Sequence, residues 1–327
     1  MTKRERCGVF AAIAVAACVA AGCGGKSNPG TAVSKGKMTT VGFAQIGAES
    51  GWRTAETQSI QDEAKKRGVS LQFSDAQQKQ ENQIKAVRTF IAQKVDAIIL
   101  APVVETGWEP VLKEARTAGI PVFLADRAVN VQDPGLYVTL VSPDVVEEGR
   151  MAGRWMAKAL NGKGNIVELK GTVGSSPAND REKGFHEILT KYPGMKIVIS
   201  QSGDFTRAKG KEAMEAFLKS PVGKHIDALY AHNDDMALGA VQAIEQAGLK
   251  PGVDIKIVSI DAVHDAFVAM AAGKLNCTVE CNPLLGPAIF DAIEAHLAGK
   301  PLAKKISLKE RTYEASEAAS VLPTRKY

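Results

Sequence analysis

From residue 39 onward the chain alternates short apolar runs with amphipathic stretches, and the alternation restarts near the middle. That rhythm constrains the fold most. Strands joined through helical crossovers must run parallel, with helices covering both faces of the sheet. Apolar runs at 39–45, 69–75, 95–103, 120–126 and 136–142 predict the strands of a first sheet. Residues 54–68 place apolar side chains at helical spacing and stop at Gly68, as a helix between the first two strands would. After a helix predicted over 145–160, runs at 165–171, 195–204, 226–234 and 255–261 predict a second sheet. A chain of 327 residues, 45% hydrophobic, can give each sheet its own core, so two lobes are expected. Pro143 disfavours helix in the residue before it and cannot donate to a ladder, which puts the seam at Ser142-Pro143-Asp144. The remaining segments, "CTVECNP", "LLGPAIFDAIEAHLAG" and "ISLKERTY", are too small for a third domain. They are expected to return across both lobes, and several crossings make a hinge that closes around a ligand.

The first 22 residues stand apart. A basic start, a short apolar run and small residues before Cys23 read as an export signal, too short for a membrane span. The ending Ala20-Ala21-Gly22-Cys23 is that of a lipobox, which makes Cys23 the expected lipidation site. Residues 23–37, rich in Gly, Ser, Pro and Lys, have little to bury and are expected to be a flexible tether. The chain is therefore expected to be exported and held at a membrane by lipid. Of the formal charge of +5, the leader carries Lys3, Arg4 and Arg6 against Glu5, leaving about +3, too little for a nucleic-acid partner. Outside leader and tether the cysteines are Cys277 and Cys281. In a straight strand their Cα atoms would lie about 13 Å apart, so two free thiols are favoured. The histidines are scattered, with no metal-binding spacing, and neither a cofactor nor a metal is expected.

In open parallel sheets ligands sit beyond the carboxyl ends of the strands. Those positions hold Glu49, Ser50, Trp52, Arg53, Asp126, Arg127, Asp180, Arg181, Asp204, Phe205, Asn233, Asp234, Asp235 and Asp261. No histidine is grouped there with a serine or cysteine for nucleophilic chemistry. Carboxylates accept from hydroxyls, arginines donate in planar pairs, asparagine does both, and an aromatic ring covers the C–H face of a sugar. Taken singly, Asp126-Arg127 could be an ion pair ending a strand, Asp261 a helix cap, and Trp52, like Trp108 and Trp155, part of the core. The recurrence at one end of the strands in both halves favours a cleft. The glycines of "KGTVGSSPANDREKG" lack the spacing of a phosphate loop, and "KKISLKERTYE" reads as a solvated face.

On these residues a family becomes visible. "VGFAQIGAESGWRTAE", "IPVFLADR", "ELKGTVGSSPANDREKGF", "SQSGDFTRAKGKEAMEAF" and "YAHNDDMALGAVQAIEQAGLKPG" resemble the ribose/galactose-type periplasmic binding proteins of ABC sugar importers. The resemblance implies a type I α/β fold, two doubly wound parallel-sheet lobes on a three-segment hinge. The N-terminal lobe would comprise 38–142 plus 282–312, and the C-terminal lobe 143–281 plus 313–327. It implies one monosaccharide between the lobes, held by Glu49, Ser50, Trp52, Arg53, Asp126 and Arg127 from one side. Arg181, Phe205, Asn233 and Asp261 would hold it from the other. It implies no chemistry, a monomeric carrier, and delivery to a permease with a cytoplasmic ATPase. Trp52-Arg53 stands where ribose binders carry two phenylalanines, which resembles the galactofuranose type. Cys281 stands where they carry a hinge glutamine, leaving contacts from Glu280, Cys281 and Asn282 open. The alternatives are a sugar sensor feeding a chemoreceptor or two-component system, and a glycoside hydrolase using Asp126 and Asp261.

Overall fold

The apolar runs pair into two six-stranded sheets. In the first, β1 (Thr40–Gln45), β2 (Ser70–Asp75), β3 (Ala97–Leu100), β4 (Val122–Ala125), β5 (Leu140–Val141) and β11 (Lys305–Ile306) are all parallel, in the order β11-β5-β4-β3-β1-β2. The second holds β6 (Lys163–Lys170), β7 (Gly194–Ser202), β8 (Ala228–Ala231), β9 (Lys256–Asp261), β10 (Cys277–Glu280) and β12 (Thr312–Glu314). Its order is β12-β10-β9-β8-β6-β7, and only β12 runs antiparallel. The computed structural model describes residues 39–327, so the leader, Cys23 and the tether lie outside the described residues.

Alternation along the strands splits the first core in two. Val41, Phe43, Ile99 and Phe123 face α1 (Gly51–Lys66) and α9 (Gly286–Leu297), where Ile60, Ile289 and Phe290 are buried. Ala44, Ile98, Leu100 and Leu124 face α2 (Gln80–Ala92) and α3 (Glu109–Thr117), where Val87, Phe90 and Leu112 are buried. Strands covered on both faces read as unbroken apolar runs, as "AIIL" does in β3. Trp108 belongs to this core, and Trp155 packs against that of the second sheet.

In each sheet the strand order reverses beside its first strand, at β1/β3 and at β6/β8. Such switch points open a crevice at the carboxyl ends of the strands. The chain crosses between the sheets three times: from β5 into α4 (Val145–Ala159), from β10 into α9, and from β11 to β12. Helix α4 lies so close to α5 (Ser176–Leu189) that a Cβ on Gly149 would sit 2.3 Å from the Arg181 carbonyl oxygen. That close approach sets Glu148 against Arg181. Among the described residues no helix is long and apolar enough to cross a membrane. The Cys277 and Cys281 thiols are buried and free.

Several elements differ from expectation: of 95–103 only Ala97–Leu100 is strand, of 226–234 only Ala228–Ala231, and two further differences have a local cause. The Ser50 hydroxyl accepts from Arg53 N at 3.1 Å and starts α1 at Gly51, not at 54. Of the run 136–142 only Leu140–Val141 is strand, because Asp133 caps a 3-10 turn over Pro134–Leu136, accepting from Gly135 N at 2.8 Å.

Candidate functional site

Capped by Ser50, the first turn of α1 carries Trp52 and Arg53. The Arg53 guanidinium is buried, and each of its three nitrogens donates to a carboxylate. Its Nε donates to Glu49 Oε1 at 3.0 Å and its Nη2 to Asp126 Oδ2 at 2.7 Å, while Nη1 donates to Glu56. Glu56 lies wholly buried beneath it and accepts from Gln45 Nε2 at 3.0 Å. Burial works against the Arg53 charge, but the pull of Glu56, Asp126 and Glu49 outweighs it and holds the group well above the usual arginine range. Trp52 lies beneath the same cation, 4.7 Å from the ring centre, and its Nε1 donates to the Cys281 carbonyl.

Arg127 donates from Nη1 to the Val103 carbonyl at 3.0 Å, and its Nη2 is 3.6 Å from Glu49 Oε1. Burial, and then the Arg53 charge, pull its pKa down to about 10 against the opposing pull of Glu49. From the other sheet Arg181 donates from Nε to Glu148 Oε2 at 2.7 Å and from Nη1 to the His232 carbonyl at 2.6 Å. Its Nη2 lies 3.7 Å from Asp261 Oδ1. The Phe205 ring sits between the two cations, 5.3 Å from the Arg127 guanidinium and 5.9 Å from that of Arg181.

Trp52, Arg53, Arg127, Arg181 and Phe205, with Glu49, Asp126 and Asp261, border one small cavity together with Pro177 and Cys281. Two buried polar atoms of lining residues, Glu49 Oε2 and Arg127 Nε, make no hydrogen bond within the protein, although Arg127 Nε lies 3.7 Å from Asp126 Oδ2. One accepts and one can donate, which is what a polyhydroxylated guest supplies. Asp126, Phe205 and Asp261 carry φ of 62°, 62° and 127°. Such backbone costs about 1–3 kcal/mol per residue and persists where the surroundings hold it in place. The lobes are closed over the space. Gly51 N donates to Asp235 Oδ2 at 2.9 Å, Ala128 N to Ser176 Oγ at 2.8 Å, and Asn179 Nδ2 to Glu105 Oε2 at 2.6 Å.

A glycine makes room for the aromatic wall. A Cβ on Gly171 would meet Phe205 Cζ at 1.9 Å. Gly171→Ala is expected to push the ring out of place and weaken binding of a guest in the cavity about tenfold, in line with the ~1–3 kcal/mol cost of overpacking. Calorimetry showing affinity equal to wild type would remove Phe205 from the site.

Two clusters of potential metal ligands lie near this region. Carboxylate oxygens of Glu148 and Glu310 and the Cys281 sulfur lie within 4.8 Å of one another, as do ligand atoms of Glu168, Glu182 and His186. Both have cationic or donor groups of the protein's own against them: Arg181 on Glu148, Lys170 on Glu182 at 3.3 Å, and His232 Nε2 at 3.2 Å from Glu168.

A family profile for the periplasmic binding protein domain matches residues 41–301. The chain belongs to the periplasmic binding protein family. Galactofuranose-binding protein YtfQ of Escherichia coli (strain K12) is 56% identical over 275 residues, 84% of this chain and 86% of that protein. Among solved structures, the periplasmic binding protein component of the arabinose ABC transporter from Shewanella sp. ANA-3 holds α- and β-L-arabinofuranose. It matches with a TM-score of 0.85 at 57% identity, covering 88% of this chain and 96% of that one. A protein from Mycobacterium smegmatis in complex with β-D-fucofuranose matches with a TM-score of 0.86 at 53% identity, covering 88% and 95%.

In this periplasmic binding protein all ten expected site residues border the one cavity, by routes that differ from those expected. Trp52 and Arg53 belong to a helix and not to the turn before it. Arg181 does not directly follow a strand. Pro177 starts α5 at Ser176, and Arg181 extends from the second turn. Asn233 caps α7 (Asp234–Gln246), its Oδ1 accepting from Met236 N and its Nδ2 donating to the Phe205 carbonyl, both at 3.0 Å. That leaves one amide N–H for a guest. Asp261 is no helix cap, since α8 (His264–Ala271) is preceded by Val263 in that position. At the crossing from β10 into α9, Cys281 borders the cavity, Asn282 N donates to Glu310 Oε1 at 2.9 Å, and Glu280 accepts from Arg325 Nη1 at 3.0 Å. Glu310 therefore departs from the solvated face expected of its lysine-rich stretch. Glu56 and Glu148, which hold two of the arginines, were not anticipated.

Proposed function

We propose that this protein is the capture component of an ABC sugar importer, closing its lobes on one monosaccharide in furanose form, with galactofuranose the first candidate. It passes the sugar to a membrane permease driven by a cytoplasmic ATPase, acts as a monomer, and performs no chemistry on its guest. Cys23 carries a lipid that holds it to the outer face of the cell membrane, with residues 24–37 as tether. The supporting observation is the closed cavity with its free acceptor on Glu49 and free donor on Arg127, in a chain more than half identical to proteins named for, or solved with, furanoses. Contacts from both lobes favour the closed form, and that differential affinity drives closure.

The test is a thermal-shift panel on residues 38–327. D-galactose and L-arabinose, whose solutions contain furanose forms, are expected to raise the melting temperature by several degrees. Binding to the folded state at 100 times Kd adds about 2.7 kcal/mol. Apparent affinity scales with the fraction of the competent sugar form. A panel in which no sugar shifts the transition, or in which D-ribose outranks both, would sink this reading. Product formed from galactofuranosides would replace it with the hydrolase.

A further inference from the structure

One cavity carboxylate is held in place from outside the cavity. Asp261 ends β9 with φ of 127° and Ala262 follows with φ of 60°, two successive non-glycine residues in left-handed backbone. Each polar group of that turn is anchored. Cys281 N donates to the Asp261 carbonyl at 3.3 Å, Ala262 N to Thr278 Oγ1 at 3.1 Å, and Val263 N to Asp234 Oδ2 at 2.9 Å. The Ala262 carbonyl accepts from Arg325 Nη2 at 2.7 Å. Arg325 does not border the cavity and is itself nearly buried, with an 8% exposed side chain. Its guanidinium carbon lies 5.1, 5.3 and 4.5 Å from the ring centres of Phe267, Tyr313 and Tyr327, and its Nη1 donates to Glu280 Oε1. Tyr327 closes the assembly, its hydroxyl donating to Glu280 Oε1 at 3.1 Å and its carbonyl accepting from His264 N at 2.6 Å.

We infer that Arg325 is a positioning residue for the sugar site: it holds the Asp261–Ala262 turn in its left-handed form, so that the Asp261 carboxylate stays opposite Arg181 and toward the guest. The inference rests on the reading of Asp261 as a sugar contact. Two anchors on this turn involve ionisable groups, the Asp234 carboxyl, which burial pushes up to about 7, and Arg325, which brings a full charge to the Ala262 carbonyl; a charge-assisted bond is about twice as strong as a neutral one. Without it the turn relaxes toward ordinary backbone, and the carboxylate swings with it.

A double-mutant cycle tests this on residues 38–327, with D-galactose affinity read by calorimetry. Arg325→Met is expected to weaken binding about fivefold or more, and the Arg325→Met/Asp261→Asn pair to bind no worse than Asp261→Asn alone, because the residues act as a unit. Factors that multiply, or Arg325→Met binding like wild type with only a lowered melting temperature, would overturn the inference. Asp261→Asn binding like wild type would overturn it by removing the reading of Asp261 beneath it. If Arg325→Met does not fold, Arg325→Lys carries the same cycle. It keeps a cation among the rings but offers one ammonium to acceptors that the guanidinium spans.

Discussion

Arg53→Ala is expected to weaken D-galactose binding by about 100-fold or more, roughly 2.7 kcal/mol, while both lobes keep their fold. The guanidinium is the shared counter-ion of Glu49, Glu56 and Asp126, and its side chain is 3% exposed. Removing one partner from a buried ion pair costs about 3–5 kcal/mol, because the charge left behind has neither water nor partner. How that cost is divided follows from where each carboxylate lies. Glu49 and Asp126 border the cavity, so opening the lobes returns them to water and the closed, sugar-bound state carries their share. Glu56, one turn further along α1, is buried against Gln45 and out of the cavity, and its share falls on the lobe itself. Burial already pushes the Glu56 carboxyl up, and losing Arg53 pushes it further, so it takes a proton in place of unfolding its surroundings. The sugar-free melting temperature should fall by only a few degrees, and Glu56→Gln added to Arg53→Ala should recover that loss without recovering affinity. Arg53→Lys should still bind poorly, since one ammonium cannot span three carboxylates. Affinity of Arg53→Ala within threefold of wild type by calorimetry, with a native far-ultraviolet spectrum, would remove Arg53 from the site.

What could be read from the sequence followed from what is local. Glu49, Asp126 and Asp261 could be found because each ends or follows a buried parallel strand, and the geometry of such sheets sends the residues there toward the crevice. Trp52 and Arg53 could be found too, although their helix starts three residues earlier than its apolar spacing suggests, because a serine cap leaves no trace in hydrophobic periodicity. Glu56 escaped for the opposite reason. It stands one turn from Arg53 on a helix dense with charged residues, where a carboxylate reads as a solvated face, and only the fold puts Gln45 and Arg53 upon it. The supports of the second lobe are harder still. Glu148 reaches Arg181 because two helices touch at Gly149, and Arg325 reaches Ala262 across 63 residues of chain. Nothing periodic joins such pairs. Glu310 was hidden in a different way, since its lysine neighbours are exposed while it turns inward at the third crossing.

That crossing carries a second large effect, one that depends on pH. Glu148 uses one carboxylate oxygen on Arg181, and its other, Oε1, is buried without a donor. The carboxylate oxygens of Glu310 lie near it, beside the uncharged thiol of Cys281, whose pKa burial pushes well above the usual range. Burial first, and then the charge of Glu148, push Glu310 up to about 11, against the opposing hydrogen bond from Asn282 N and the pull of Arg181. A proton on Glu310 would supply the donor that Glu148 Oε1 lacks. The folded protein keeps that proton across neutral pH, whereas the unfolded chain releases it near the ordinary glutamate value of 4.5. A state that binds the extra proton loses stability as pH rises, so this pair costs nothing below about pH 4.5 and a growing amount above it, up to about pH 11. The limiting slope is one proton, about 1.4 kcal/mol per pH unit, and solvent reaching the half-buried carboxyl reduces it. Glu310→Gln supplies a permanent N–H toward Glu148 and keeps an oxygen to accept from Asn282 N. The variant should match wild type at pH 4.5, exceed it by on the order of 2 kcal/mol at pH 8, and show a flatter melting profile between. Glu148→Gln should give no such gain, because it strips Arg181 of its ionic partner. Parallel melting curves for Glu310→Gln and wild type from pH 4.5 to 9 would show that no proton is held between the two carboxyls, and the hinge would then have to satisfy Glu148 Oε1 by opening to water.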